Sequence, residues 1–79
     1  MFKLKSTKIG ILGGSFDPAH KGHLTISKIA LKKIKLKKIY WVVTKKNPFK
    51  GKTFFSLKDR IHKAKKISSK IKNIEVLYI

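Results

Sequence analysis

A glycine-rich segment with two histidines, residues 13–24, constrains the fold of this 79-residue chain more than any other stretch. It reads Gly-Gly-Ser-Phe-Asp-Pro-Ala-His-Lys-Gly-His-Leu, with an apolar run at residues 9–12 before it and apolar residues at helical spacing after it. This order predicts a strand, a tight loop and the start of a helix. Such a loop is suited to phosphate, because the unpaired N–H groups and the dipole of a helix N-terminus favour anions.

The loop itself predicts close approach between backbone and phosphate. Its glycines place no Cβ atom in the way. Backbone N–H groups of Gly14, Ser15 and Phe16 would then point at anionic oxygens. The helix, predicted from about His20 to Lys35, adds unpaired N–H groups and a partial positive charge of about half a unit. We expect the ring of Phe16 to pack beneath the loop.

The rest of the chain predicts two more strands and a second helix. Residues 39–43 form a near-continuous apolar, β-rich run, which is typical of a buried parallel strand. Ser56 begins a capping-box-like pattern, and residues 57–71 carry apolar side chains at helical spacing. Residues 74–79 read as a third strand. The order βαβαβ predicts one α/β domain over residues 1–79: the Rossmann-like half of a doubly wound parallel sheet, truncated after its third strand.

The glycine–histidine segment resembles the G-x-F-D-x-x-H-x-G-H motif of the nucleotidyltransferase superfamily. The fixed positions of that motif are matched by Gly14, Phe16, Asp17, His20, Gly22 and His23. The Gly13-Gly14 pair and the Asp17-Pro18 pair are most similar to nicotinate-nucleotide adenylyltransferases.

The resemblance implies direct adenylyl transfer. The phosphate of nicotinate mononucleotide would attack the α-phosphorus of ATP, giving deamido-NAD and pyrophosphate. His20 and His23 would be the catalytic residues, supporting charge on the ATP phosphates. Contacts to phosphate and substrate would come from Gly13, Gly14, Ser15, Phe16, Asp17, Gly22 and Lys50. Mg²⁺ would bridge the phosphates of ATP, with no metal site built from protein residues.

Simpler interpretations exist for several of these residues. Ser-Phe-Asp-Pro alone predicts a turn, and two histidines three apart also suit a metal pair, although no cysteine or third histidine stands nearby. Lys50, with Asn47 and Pro48, resembles the family's loop after the second strand, but a solvated lysine fits equally well. Arg60 matches a common family arginine, for which we expect a structural or minor substrate role.

Composition bounds the remaining possibilities. The formal net charge of +18 suggests nucleic-acid binding, yet the lysines are spread along the chain and Arg60 is its one arginine. We therefore expect the charge to favour anionic nucleotides, with non-specific, salt-dependent nucleic-acid binding as a secondary property. The absence of cysteine, of a signal peptide and of long apolar runs predicts a soluble, cytoplasmic chain without membrane contact.

The resemblance covers only a first half. Family members are more than twice as long, and their second half supplies the nicotinate-ring residues and a further ATP motif. We therefore expect an exposed edge at residues 9–12 and little activity from the chain alone. Three alternatives stay open: a nucleotidyltransferase with another acceptor, a basic nucleic-acid-binding remnant, or a module completed by a complementing chain or by homo-oligomerisation.

Overall fold

A computed structural model of the chain describes residues 8–45 and 53–79. Its elements follow the predicted order and are β1 (Ile9–Gly14), α1 (Lys21–Lys33), β2 (Lys38–Val43), α2 (Leu57–Ser68) and β3 (Ile74–Tyr78). All strand pairs are parallel, and the sheet order is β1-β2-β3. The α/β fold class and the open, Rossmann-like half-sheet are confirmed.

The helix ends differ from the predicted ones. The helix α1 stops before Lys35, whose φ of 55° lies in the left-handed region that terminates helices. The helix α2 ends at Ser68, whose hydroxyl donates back to the carbonyl of Ala64 at 2.8 Å. The apolar position Ile71, which was predicted to belong to this helix, instead follows it and packs against the core.

The core lies between β2 and the two helices. Alternate residues of β2 are buried, namely Ile39, Trp41 and Val43, and they form one cluster with Ala64 of α2. Partly buried apolar residues of both helices pack against the same cluster, including Leu24 and Leu31 in α1 and Leu57, Ile61 and Ile67 in α2. Both helices therefore cover the same face of the sheet, and β2 is its buried centre.

The outer side of β1 is the exposed part of the sheet. Among the described residues, β1 pairs with β2 alone. Ile9 and Ile11 are 54% and 74% exposed. An exposed apolar edge of this kind was the expectation for residues 9–12. Neither α1 nor α2 has the length and hydropathy of a membrane-spanning helix.

Candidate phosphate-binding site

The predicted site lies where β1 and β2 end. Because the strands are parallel, their carboxyl ends meet at one edge, which is where open α/β sheets bind ligands. The backbone N–H of Thr44, directly after β2, donates to the carbonyl of Gly14 at 2.9 Å. The glycine-rich loop therefore begins firmly attached to the neighbouring strand.

His20 caps the N-terminus of α1 with its side chain. Its Nδ1 accepts from the backbone N–H of Gly22 at 3.0 Å, so the ring folds back over the first turn. A Cβ atom at Gly22 would lie 2.7 Å from Cε1 and 2.9 Å from Nδ1 of this ring. A glycine two positions after the histidine is therefore what allows His20 to occupy this place, which gives the H-x-G spacing a steric reason.

His23 completes a reciprocal cap. Its Nδ1 accepts from the backbone N–H of His20 at 3.0 Å, and the two imidazole centroids are 4.2 Å apart. Because both Nδ1 atoms accept, the proton of each neutral ring is assigned to Nε2. Neither Nε2 has a hydrogen-bond partner within residues 8–45 and 53–79. Both rings therefore offer one N–H donor to a ligand.

An aromatic stack fixes His23 from below. Its ring centroid is 4.5 Å from that of Phe16, which in turn stacks on Trp41 at 5.4 Å. Trp41 is fully buried, and its Nε1 donates to the hydroxyl of Ser27 on α1 at 2.8 Å. Phe16 is 2% exposed, which confirms that its ring packs beneath the loop. The core thus holds the histidine in place.

Burial also affects the charge of His23. Desolvation lowers the pKa of His23 below its usual value, and the neighbouring His20 lowers it further. The neutral form, with its proton on Nε2, is therefore favoured in the free protein. A bound anion would act in the opposite direction and stabilise the imidazolium.

The glycines of the loop leave room above it. Among the residues that the structure describes, a Cβ atom at Gly13 would meet nothing within 4 Å, and one at Gly14 would only touch the ring of Phe16 at 3.9 Å. Packing against these residues therefore does not require a glycine at position 13, and the predicted contact of Gly13 with phosphate stays a prediction.

Asp17 is turned toward the protein. Its Oδ1 accepts from the backbone N–H of Phe55 at 2.7 Å, and its Oδ2 accepts from that of Phe54. These two bonds tie the loop to the segment before α2. The peptide bond from Asp17 to Pro18 is cis. Both carboxylate oxygens are thus engaged within the protein, and a contact between Asp17 and phosphate stays a prediction.

The acidic residues do not form a metal cage. The chain has three of them, and in the described ranges no group of three potential metal ligands occurs. Asp17 is engaged by backbone N–H groups, Glu75 accepts from Nζ of Lys38 at 3.1 Å, and Asp59 lies in the first turn of α2. These donors do not fit a magnesium ion held by the protein itself.

The predicted site residues lie on consecutive elements. Gly13 and Gly14 end β1, Ser15 and Phe16 follow in the loop, and His20, Gly22 and His23 form the start of α1, where the ring of His23 contacts that of Phe16. Lys50, with Asn47 and Pro48, lies outside the described residues. The sequence interpretation missed the bond from Thr44 to Gly14 and the anchor from Trp41 to Ser27, for which no local pattern exists.

The chain forms an open parallel α/β sheet with a glycine-rich loop and a histidine-capped helix at its carboxyl edge. This is the edge at which open α/β sheets bind their ligands. A family model described as Cytidylyltransferase-like matches residues 11–77. The chain belongs to this family.

Within this family, the chain is similar to several proteins that share one name. The chain is 60% identical, over 94% of its length, to a "Probable nicotinate-nucleotide adenylyltransferase" of Pelagibacter ubique, and it covers 41% of that protein. Proteins of the same name in Ruegeria sp. and Endomicrobium trichonymphae are 48% and 39% identical over 75% and 87% of the chain. The chain covers 31% and 36% of them, so it spans less than half the length of these relatives.

Proposed function

We propose that the chain carries the phosphate-binding half of a nicotinate-nucleotide adenylyltransferase, which transfers the adenylyl group of ATP to nicotinate mononucleotide. The observation that carries the proposal is the pair His20 and His23. Both rings are held by backbone N–H groups through Nδ1, so both Nε2–H groups remain as donors at the positive end of α1. The names of the relatives support the choice of acceptor.

The chemistry needs no nucleophile from the protein. A phosphate oxygen of nicotinate mononucleotide attacks the α-phosphorus of ATP, the bond to the bridging oxygen breaks, and pyrophosphate leaves. Catalysis then consists of aligning the reactants and stabilising the charge that develops on the phosphates. In this proposal His20 and His23 donate hydrogen bonds to those oxygens, and the backbone N–H groups of the glycine loop hold the chain of phosphates.

Magnesium belongs to the substrate in this proposal. The acidic side chains of the described residues are engaged elsewhere or lie apart from the loop. Mg²⁺ would therefore arrive coordinated by ATP, whose phosphates it neutralises. The residues of this chain would bind and orient the complex.

The exposed edge of β1 suggests a requirement for more polypeptide. A parallel sheet is normally covered on both faces, whereas here the helices cover one face and Ile11 is exposed. We propose that full activity needs a complementing segment along β1, and the relatives are long enough to supply one, since the chain covers 41% or less of the three described above.

The test is adenylyl transfer with and without such a segment. The chain is incubated with ATP, Mg²⁺ and nicotinate mononucleotide, alone and with the part of the Pelagibacter relative beyond the matched region. We expect little product from the chain alone and clear formation of deamido-NAD and pyrophosphate from the mixture. His20→Ala and His23→Ala should each lower the rate about a hundredfold or more.

The matched control is His62→Ala, because His62 is exposed on α2 and should not affect the rate. A mixture that forms no product, or histidine variants that work as well as the wild type, would contradict the proposal. Product with another acceptor nucleotide but not with nicotinate mononucleotide would contradict the acceptor alone.

Weak nucleic-acid binding is a second property that the charge of +18 favours. It should fall steeply with salt and survive the loss of both histidines. Loss of nucleic-acid affinity in the His20→Ala and His23→Ala variants would contradict a purely electrostatic origin that is independent of the histidines.

A further inference from the structure

Arg60 is a buried cation in contact with three separate segments. Its side chain lies on α2 and is 1% exposed. The guanidinium donates to four backbone carbonyls, at distances of 2.6–3.0 Å: those of Ser15, Thr44, Lys45 and Phe55. One residue thus joins the glycine loop, the chain after β2 and the chain before α2.

No ion pair joins Arg60 to a carboxylate within the described residues. A buried cation is costly unless dipoles or anions replace its hydration. Here the four carbonyls replace it. The orientation of the four carbonyls therefore depends on the guanidinium. A substitution of Arg60 must change the conformation of the loops that carry these carbonyls.

The bond to Ser15 has a consequence for the other side of the loop. In a planar trans peptide the C=O and the N–H point in opposite directions. Because Nη1 of Arg60 holds the carbonyl of Ser15 at 2.8 Å, the N–H of Phe16 must point away from Arg60.

The preceding peptide is fixed in the same way. The carbonyl of Gly14 accepts from the N–H of Thr44, so the N–H of Ser15 points away from β2. Neither N–H has an acceptor in the described part of the chain. Phe16 has a φ of 48°, and successive N–H groups beside a left-handed residue are a known form of anion-binding concavity.

We propose that Arg60 is a positioning residue, which aims the N–H groups of Ser15 and Phe16 at a phosphate without touching it. This inference rests on the proposed function, since it assigns the phosphate to that loop. The guanidinium does two things at once: its planar fork sets the loop, and its uncompensated charge adds to the positive potential beneath the anion.

Lysine cannot replace it. An ammonium group has three donors on one atom, whereas the carbonyls here are reached from Nε, Nη1 and Nη2. Arg60→Lys keeps the charge but loses the fork. The comparison between Lys and Met at this position therefore separates geometry from charge.

The test is the binding of inorganic pyrophosphate at constant ionic strength, followed by the amide NMR shifts of Ser15 and Phe16. In the wild-type chain we expect saturable shifts at both amides. Arg60→Lys should raise the Kd about tenfold, and Arg60→Met by more. Lys65→Met removes one charge from an exposed position of the same helix and should change the Kd less than about twofold.

A rescue experiment excludes a purely structural role. Arg60→Ala, supplied with methylguanidinium below denaturing concentrations, should recover both the free-state shifts of Ser15 and Phe16 and part of the affinity. Wild-type affinity in Arg60→Lys and Arg60→Met would overturn the inference and leave the proposed function intact. Unfolding of all three variants would also overturn it, since Arg60 would then serve the fold rather than the loop. Absence of saturable shifts in the wild type would contradict the proposed function itself.

Discussion

The two helices begin in contrasting ways. The helix α2 starts with Ser56, whose hydroxyl accepts from the N–H of Asp59 at 3.2 Å, and Asp59 places a negative charge in its first turn. The helix α1 starts with His20 and His23, and it has no acidic residue in its first turn. Both ends satisfy backbone N–H groups through side chains, but only α2 brings its own negative charge.

The difference shows how a helix start can be capped by side chains and still offer donors to an anion. A serine cap with an aspartate compensates the helix dipole within the protein, so nothing further is needed. Two histidines cap through Nδ1, which leaves each Nε2 without a partner among the described residues, and no acidic residue compensates the dipole in the first turn. The start of α1 is therefore stable as a helix end and still able to attract an anion.

Among substitutions at matching positions of the two helix starts, the largest effect is expected at the second helical position, which is Gly22 in α1 and Lys58 in α2. Gly22→Ala pushes a Cβ atom against the ring of His20, so the ring must leave its place over the first turn. We expect adenylyl transfer by the complemented chain to fall about tenfold or more. Lys58→Ala is the matched substitution and should leave the rate nearly unchanged.

A variant at the start of α2 tests whether the cap of that helix serves stability alone. Ser56→Ala removes an ordinary cap and should lower the free energy of unfolding by about 1 kcal/mol, measured by urea denaturation. Pyrophosphate affinity of the folded fraction should stay the same. A marked loss of affinity in this variant would place the anion at α2 and contradict the comparison.

The smallest effect concerns the titration of His23. Its pKa is lowered in the folded protein, first by burial and second by His20. The neutral ring is therefore favoured by folding, and stability present above about pH 6.5 is lost as the pH falls through that value toward the folded-state pKa. NMR titration should give a pKa below the usual value.

The variant His20→Ala refines this prediction. Removing the neighbouring ring should raise the pKa of His23 partway, since burial remains the larger cause. Pyrophosphate should raise it as well, and its binding should tighten as the pH falls. A pKa at or above the ordinary value in the free wild-type chain would contradict the buried placement of this ring.

The sequence predicted the fold correctly because the fold depends on local patterns, and the same kind of pattern predicted where His20 and His23 lie. The alternating elements follow from hydrophobic period, and the place of His20 and His23 follows from a loop directly before a helix. The packing of Phe16 was also predictable, since a large aromatic ring in a glycine loop needs cover.

What sequence reasoning missed depends on contacts between distant segments. The direction of the Asp17 carboxylate is set by N–H groups of Phe54 and Phe55, which lie far along the chain. The four carbonyl bonds of Arg60 likewise join three loops. One signal was present: Arg60 is the single arginine among abundant lysines, and only arginine offers a planar fork of donors.

The most direct test is an amide NMR titration of the wild-type chain with ATP at physiological salt, comparing the two helix starts in one sample. We expect saturable shifts of the amide signals of Ser15, Phe16, Gly22 and His23, and no shift at the matching positions Lys58 and Asp59. Equal shifts at both helix starts, or shifts spread over the lysines and removed by salt, would contradict this expectation. Binding would then follow the charge of +18 and not the histidine-capped loop.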